Sequence, residues 1–338
     1  MADVRPDSAA PALPHGLIWS SDDGPGIRRR PSGRGLSYRD PAGTTIRDRA
    51  VVARINQLAI PPAWTDVWIC PDASGHIQAT GRDLKGRKQY RYHDDWSRHR
   101  SSNKFDRLPA FARALPRLRR RIEADLALRG PSRDKVLATA VRLLELTLIR
   151  VGNVQYARQN RSYGLTTLHK RHLDVDGAAL SFAFRGKSGV DHRVSVRDRR
   201  LAALVRSLRD LPGQQLFKYR DEAGALCPIT SDDVNAYIRD AMGEGFSAKD
   251  FRTWAGTVSA ARALRDMEAP TSPTDARRKI TVCVKAVAGL LGNTPTVCRS
   301  SYVHPTVFAL YEDGRLAELL PGADTAGFER AVAKILAA

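Results

Sequence analysis

Five polar side chains stand at the ends of predicted helices or in a predicted turn: Arg150, Lys187, Arg252, Asn293 and Tyr302. A phenol has a pKa near 10, so only about one in a thousand is ionised at pH 7. Its attack on a phosphodiester therefore needs cationic help and managed proton transfer. Guanidinium groups suit the charge that builds on phosphate oxygens, because they donate bidentately and do not titrate. An ammonium group can deliver a proton to a leaving oxygen.

Each of these residues alone also has an ordinary structural explanation. Arg150 could be a cation at a helix C-terminus, where it would interact favourably with the helix dipole. Lys187 could be a common hairpin-turn residue, and Tyr302 could be a half-buried core tyrosine. The residue types alone leave both interpretations open.

The predicted elements bring these residues to ends and turns. Ser132 caps an amphipathic helix that we expect to end near Gly152, close to Arg150. Three further helices have start signals at Ser247, Ser272 and Thr294. The first begins shortly before Arg252, the second is expected to run to Gly292, next to Asn293, and the third begins shortly before Tyr302. A hairpin is predicted around the turn sequence Gly-Lys-Ser-Gly at 186–189, flanked by alternating residues that face one side: Leu180, Phe182, Phe184, Val190, His192, Val194 and Val196.

Length and charge narrow the class of protein. The chain has 338 residues, with 55 Lys and Arg against 36 Asp and Glu, a net charge of +19. About two domains are expected at this length, and the excess positive charge favours a nucleic-acid partner. No apolar run approaches the roughly 20 residues of a membrane span. The four cysteines form no CxxC motif, so we expect reduced thiols and no metal site.

A basic stretch with interleaved aromatic residues lies between Gly81 and Lys104. It carries eight Lys or Arg residues against three Asp, together with Gln89, Tyr90 and Tyr92. Such side chains can bind phosphates or base edges, although a solvated charged face would have the same composition. The net charge favours nucleic acid.

In this order, Arg150, Lys187, Arg252, Asn293 and Tyr302 resemble the active site of type IB DNA topoisomerases, in the compact bacterial and poxvirus-like branch. Three N-terminal segments resemble the same branch: Ile60–Trp64, Gly75–Asp83 and Gly86–His93. The whole resemblance covers roughly residues 16–315.

The resemblance implies an α+β protein with a small β-rich N-terminal domain and a larger, mainly α catalytic domain of the tyrosine recombinase and type IB topoisomerase type. We expect a loose leader over residues 1–20, a DNA-clamp domain over 21–100 and the catalytic domain over 101–338.

The same resemblance implies a role for each residue. Tyr302 would form a 3′-phosphotyrosyl link, Arg150 and Arg252 would hold the scissile phosphate, and Lys187 would protonate the leaving 5′ oxygen. Asn293, where the poxvirus enzymes carry histidine, would bond a non-bridging oxygen. The implied DNA contacts are Gln89, Tyr90, Tyr92, Asn153, Tyr156 and Lys249.

The implied activity is relaxation of supercoiled double-stranded DNA by transient cleavage and religation of one strand. It would need no ATP, no metal and no cofactor. We expect a monomer that closes as a clamp around the duplex, in the cytoplasm of a bacterial cell and associated with the nucleoid. Binding through phosphates predicts a steep salt dependence.

Two other classes of protein share part of these features. A tyrosine recombinase shares this catalytic domain, but such enzymes usually have HxxR where this chain has Lys249 three residues before Arg252. A non-catalytic DNA-binding protein would explain the net charge and the basic aromatic stretch, but not the ordered set of five residues.

Overall fold

The computed structural model describes residues 13–33, 35–84, 86–320, 322 and 324–338, with the backbone alone at 100–103, 156 and 159. The chain divides into two compact units, Met1–Lys104 and Phe105–Ala338. The sequence put the boundary at residue 100. Each unit has its own apolar core.

The N-terminal unit is built on a five-stranded antiparallel sheet in the order β2-β1-β3-β4-β5. Side chains alternate between the faces of a strand, and one face contributes the apolar residues that pack on helix α1 (Arg49–Gln57) through Ile55. Asp48 caps α1 by accepting from the backbone N–H of Ala50 at 2.8 Å. The strands are β1 (Ile27–Ser32), β2 (Gly35–Arg39), β3 (Thr65–Ile69), β4 (Ile77–Arg82) and β5 (Lys88–Tyr92).

The leader differs from the loose segment predicted over residues 1–20. Residues 1–12 lie outside the described residues, but Ile18 forms a parallel bridge with Gly75. The Trp19 ring lies edge-on to His76, with ring centroids 4.5 Å apart. Backbone pairing and aromatic packing therefore attach residues 18–20 to the β3–β4 hairpin, which sequence composition did not indicate.

A helix, α2 (Asp94–Asp106), occupies the polar segment that the sequence suggested as a boundary. Its sequence lacks the apolar periodicity on which the helix prediction depended. Asp94 and Asp95 lie in its first turn and Lys104 in its last turn. Acidic residues at the N-terminus and a basic residue at the C-terminus interact favourably with the helix dipole.

The C-terminal unit is mainly helical and encloses the larger core. A three-stranded antiparallel sheet in the order β6-β7-β8 and a two-stranded sheet of β9 and β10 pack within it. Its helices are α3 (Leu108–Leu126), α4 (Arg133–Thr147), α5 (Val154–Asn160), α6 (Arg199–Asp210), α7 (Ser231–Met242), α8 (Ala248–Arg265), α9 (Pro273–Leu291), α10 (Pro295–Ser301), α11 (Pro305–Glu312), α12 (Leu316–Leu319) and α13 (Thr325–Ala337). Its strands are β6 (Leu173–Asp176), β7 (Ala179–Arg185), β8 (Asp191–Arg197), β9 (Lys218–Arg220) and β10 (Leu226–Pro228).

Helix α4, the central apolar helix of the prediction, lies in the core with most of its residues buried. Its cap is confirmed, because Ser132 Oγ accepts from the backbone N–H of Lys135 at 3.4 Å. The helix ends at Thr147, five residues before the predicted end at Gly152, because Leu148 takes a left-handed conformation with φ +55°. The early end leaves Arg150 in a loop.

The predicted hairpin is also confirmed. Strands β7 and β8 pair antiparallel, with Phe184 opposite His192 and Leu180 opposite Val196. The turn at 186–189 closes through a hydrogen bond from Gly186 N–H to the Val190 carbonyl at 2.7 Å.

The fold is therefore mixed α/β, with a small N-terminal sheet and a larger helical unit, as the sequence predicts. Within the described part of the chain, no single helix has both the length and the apolarity of a membrane span. The bent pair α9 and α10 meets that criterion only when its two helices are counted together.

Candidate active site

The loop that carries Arg150 is held by a second backbone segment. The Arg150 carbonyl accepts a hydrogen bond from Leu165 N–H at 2.8 Å. An added Cβ at Gly164 would lie 2.5 Å from the Gly152 backbone, so only glycine fits this contact. The segment around Gly164 therefore positions the Arg150 loop through its backbone.

Arg150 and Asn293 are directly bonded. Nη2 of Arg150 donates to Oδ1 of Asn293 at 2.5 Å. Asn293 follows Gly292, which ends α9 in the left-handed conformation at φ +59°. With Oδ1 occupied by Arg150, the buried Nδ2 of Asn293 has no hydrogen-bond partner among the described residues. A buried donor without a partner is uncommon in proteins and calls for an explanation.

Arg252 is buried, with 6% of its surface exposed. Its guanidinium donates to the Leu148 carbonyl and, at 2.5 Å, to the Leu291 carbonyl. These carbonyls lie at the C-terminal ends of α4 and α9, where the helix backbone has acceptors without an intrahelical partner. Burial and the neighbouring Arg150 charge lower the pKa of Arg252. Its Nε is buried and has no partner within the described part of the chain.

Tyr302 lies directly after α10, against the same arginine. Cζ of Arg252 is 5.3 Å from the centre of the Tyr302 ring. An added Cβ at Gly256, one turn along α8 from Arg252, would lie 2.5 Å from the Tyr302 carbonyl oxygen. Thr257 Oγ1 accepts from His304 N–H at 3.1 Å and donates to the Tyr302 carbonyl at 3.4 Å. Helix α8 therefore positions both the arginine and the tyrosine backbone.

Lys187 is exposed at the tip of the β7–β8 hairpin. It borders a narrow cleft that is also lined by Arg150, Arg252 and His192. The structure thus brings the five predicted residues together through the Arg150–Asn293 bond, the Arg252–Tyr302 contact and the cleft shared by the three cations. Gly256, Thr257 and His192 had no motif that could have marked them, because their contacts join distant parts of the sequence.

Tyr90 and Tyr92 form an exposed aromatic pair on the N-terminal unit. Their rings are stacked at 5.8 Å with 9° between the planes, and the residues are 41% and 44% exposed. Nζ of Lys88 lies 5.5 Å from the Tyr90 ring centre. Gln89 points to the other face of β5, where its Nε2 donates to Asp83 Oδ2 at 3.0 Å. The predicted DNA contacts in this strand are therefore divided between two faces.

The remaining predicted contact residues lie in the C-terminal unit. Asn153 and Lys249 are exposed, in the Arg150 loop and in the first turn of α8 respectively. The side chain of Tyr156 lies outside the described residues.

The site has the properties required of a phosphate-binding centre. Two guanidinium groups and the Asn293 amide lie in one region, beside a phenol. In the described part of the chain, Nδ2 of Asn293 and Nε of Arg252 are buried donors without a partner. Such fixed donors stabilise charge that develops on oxygen in a transition state. In the described part of the chain, no group of three or more His, Cys, Asp or Glu side chains is arranged to hold a metal ion.

Comparisons with known proteins show which family the sequence matches. Residues 86–317 match the family model for the eukaryotic DNA topoisomerase I catalytic core, and residues 35–83 match that for the bacterial DNA topoisomerase IB N-terminal domain. The chain is 34% identical to DNA topoisomerase 1B of Acanthamoeba polyphaga mimivirus over 269 residues, which cover 78% of this chain and 80% of the viral protein.

More distant relatives occur in poxviruses. DNA topoisomerase 1B of vaccinia virus (strain Copenhagen) is 22% identical over 272 residues, or 79% of this chain and 83% of the relative. DNA topoisomerase I of monkeypox virus has the same identity and coverage. The two family models and the mimivirus relative together span both units, and the chain therefore belongs to the type IB DNA topoisomerases, isomerases that act on double-stranded DNA.

Proposed function

We propose that the protein relaxes supercoiled DNA by cutting one strand through a covalent 3′-phosphotyrosyl link at Tyr302 and then rejoining it. The observation that carries this proposal is the joint arrangement of the two arginines. Arg150 is bonded to Asn293 at 2.5 Å, and Arg252 lies 5.3 Å from the Tyr302 ring. A phenol next to fixed guanidinium groups has the environment that attack on a phosphodiester requires.

In the proposed cleavage step, Oη of Tyr302 attacks phosphorus and loses its proton to solvent. An O–P bond forms to the tyrosine, and the bond from phosphorus to the 5′ oxygen breaks. Arg150 and Arg252 neutralise the charge on the non-bridging oxygens, and the Nδ2 of Asn293 donates to one of them. Nδ2 of Asn293 and Nε of Arg252 have no partner among the described residues. This supports the assignment, because each N–H has a hydrogen left to donate to a phosphate oxygen.

Lys187 is proposed to transfer its proton to the leaving 5′ oxygen. Its position on a hairpin tip that borders the same cleft as both arginines supports this role. In religation the 5′ hydroxyl attacks the phosphotyrosyl phosphorus and its proton returns to Lys187. The bond from phosphorus to Oη of Tyr302 breaks, and this oxygen regains its proton from solvent. The phosphotyrosyl ester retains the phosphodiester bond energy, so we expect religation without ATP.

The order of these residues along the chain also supports a finer assignment of fold. Arg150 follows α4, Lys187 lies between β7 and β8, Arg252 lies in α8, and Asn293 and Tyr302 flank α10. We propose that the C-terminal unit has the fold that type IB topoisomerases share with tyrosine recombinases.

The test is relaxation of supercoiled plasmid in EDTA without ATP. The wild-type protein should relax the plasmid, and Tyr302→Phe should not, since it lacks the nucleophilic oxygen. Tyr219→Phe, a half-buried tyrosine on β9, is the matched control and should retain activity. A wild-type protein that shifts plasmid mobility and leaves it supercoiled would contradict the proposal in favour of a DNA-binding protein. A covalent adduct without relaxation would favour a recombinase.

The exposed pair Tyr90 and Tyr92 is proposed to contact the duplex, with Asn153 and Lys249 contacting it from the C-terminal unit. Tyrosine hydroxyls can bond phosphates or sugars, and lysines neutralise phosphate charge. We expect log affinity for a short duplex to fall linearly with log salt, and Lys249→Ala to reduce that slope by about one. A slope unchanged in the variant would contradict the Lys249 contact.

We further propose that the protein acts as a monomer whose two units close around the duplex, in association with the bacterial nucleoid. The division of the chain at Lys104–Phe105 and the net charge of +19 support this. Sedimentation should give a mass near 37.3 kDa for the free protein and one protein per short duplex. A dimer on DNA would contradict the proposal, and so would a tagged protein that stays apart from the nucleoid in cells.

A further inference from the structure

His192 occupies a narrow space between two catalytic elements. It lies in β8, the strand that leaves the turn carrying Lys187. An added Cβ at Gly186 would lie 2.4 Å from Cδ2 of His192, and one at Gly292 would lie 2.5 Å from Cε1. The ring therefore contacts the residue before Lys187 on one side and the residue before Asn293 on the other.

The two glycines differ in what their backbones require. Gly292 has φ +59°, a left-handed conformation that favours glycine by itself. Gly186 has φ −98°, which other residues adopt without strain. The close approach of the His192 ring is therefore the physical reason for glycine immediately before Lys187.

A third contact fixes the plane of the ring. Phe184, on the opposing strand, stacks on His192 with ring centroids 5.3 Å apart and 15° between the planes. Phe184 is buried in the core of the C-terminal unit. With Phe184 on one face and a glycine at two edges, the imidazole connects the hairpin tip to the end of α9.

The charge around His192 favours a neutral ring. Burial lowers the pKa of His192, the charges of Arg150 and Arg252 lower it further, and Asp191 raises it in part. A neutral imidazole fills the space without adding a third fixed cation beside the two arginines. Its contribution is therefore packing and placement, and not charge.

From these contacts we infer that His192 is a positioning residue that sets where the Lys187 ammonium lies relative to the phosphate-binding groups Arg150 and Asn293. The inference rests on the proposed roles of Lys187 and Asn293. Without the ring, the hairpin tip and the α9 end lose their connection, and the proton donor is no longer held at the leaving oxygen. A misplacement of about 1 Å can slow a reaction about 100-fold.

The experiment measures single-turnover cleavage of two short duplexes that differ in one atom. One has the ordinary 5′ oxygen at the scissile phosphate, and the other has sulfur at that bridging position. A thiol has a pKa near 8.5, far below that of an alcohol, so a thiolate leaves without a general acid. A defect that acts through the Lys187 proton should therefore disappear with the sulfur duplex.

We expect His192→Ala to cleave the oxygen duplex about 10- to 100-fold more slowly than wild type, and the sulfur duplex within about threefold of it. His192→Phe keeps a ring in the same space and should stay within about threefold on both duplexes. Val196→Ala, four residues further along the same strand face, is the control for lost packing in the hairpin and should behave as wild type.

The variant Lys187→Ala separates the inference from the function on which it rests. If sulfur restores Lys187→Ala but not His192→Ala, the general-acid role stands and the positioning role of His192 is wrong. Full activity of His192→Ala on the oxygen duplex would also overturn the positioning role of His192. A His192→Phe variant as slow as His192→Ala would overturn it too. If sulfur fails to restore Lys187→Ala, the proposed general acid is wrong and the inference falls with it.

Discussion

Gly256 makes room for Tyr302, the proposed nucleophile, and adding one methyl group there should displace it. The Cβ of Gly256→Ala would lie 2.5 Å from the Tyr302 carbonyl oxygen, whereas ordinary contacts begin at 3.4 Å. It would also lie 3.2 Å from Cβ of Tyr302. The Tyr302 backbone must therefore move by about 1 Å away from α8, and a shift of that size in a reacting group slows reactions about 100-fold. At 1.36 kcal/mol per factor of ten, this corresponds to about 2.7 kcal/mol of activation free energy.

The effect on stability should be smaller than the effect on rate. Alanine is favoured over glycine inside a helix by about 1 kcal/mol, and overpacking of a core costs about 1–3 kcal/mol. The two contributions oppose each other, so the free energy of unfolding should fall by no more than about 2 kcal/mol. The variant should remain folded at 25 °C while cleaving slowly.

The assay is single-turnover cleavage with enzyme in excess over a labelled duplex, accompanied by urea unfolding. Gly289→Ala is the matched control, because a Cβ at this position in α9 meets no atom within 4 Å. It should cleave at the wild-type rate and be more stable by up to about 1 kcal/mol. Cleavage by folded Gly256→Ala within threefold of wild type would refute the reasoning, since the tyrosine would then tolerate the displacement.

Three further predictions follow from the same contacts. Arg252→Lys should slow single-turnover cleavage about 100- to 1,000-fold, because a lysine cannot donate in the fixed fork that reaches two carbonyls and a phosphate; a loss below tenfold would contradict the assignment. Asn293→Ala should slow cleavage about 10- to 100-fold, less than the loss of an arginine because an amide donor is neutral; an equal loss for both variants would contradict the difference between charged and neutral donors. Burial, with Arg171 and His169 nearby, lowers the pKa of His172 to about 4. As the pH falls from 6.5 towards 4, the His172 imidazole therefore binds a proton in the unfolded state but not in the folded state, and the free energy of unfolding decreases. Urea unfolding across that range should show about 3 kcal/mol of this loss in the wild type and not in His172→Gln; equal pH dependence of the two proteins would contradict it.

Local signals in the sequence were sufficient for the elements around the active site. Ser132, Ser272 and Thr294 cap helices as predicted, because a capping hydroxyl acts on its own helix. The alternating apolar residues around the turn at 186–189 predicted the hairpin correctly, because the two strands are neighbours along the chain. Helix α2 was missed because its polar sequence carries no apolar periodicity.

Contacts between distant segments could not be predicted from the sequence. The Gly256 contact with Tyr302 joins α8 to the end of α10, and the His192 ring meets Gly292, which lies 100 residues further along the chain. Neither of these contacts has a local pattern, because each depends on how whole elements pack.

The hydrogen bonds of Arg252 have a consequence for how the sequence of this protein can evolve. The same guanidinium that is proposed to bind the phosphate also satisfies the last carbonyls of α4 and α9. Its loss would leave two buried acceptors without a partner, at about 1–3 kcal/mol each. A descendant that no longer cleaves DNA would therefore still be selected to keep Arg252, whereas Tyr302 could drift. Retention of this arginine is a sign of an intact fold, and only its combination with Tyr302 is a sign of an active enzyme.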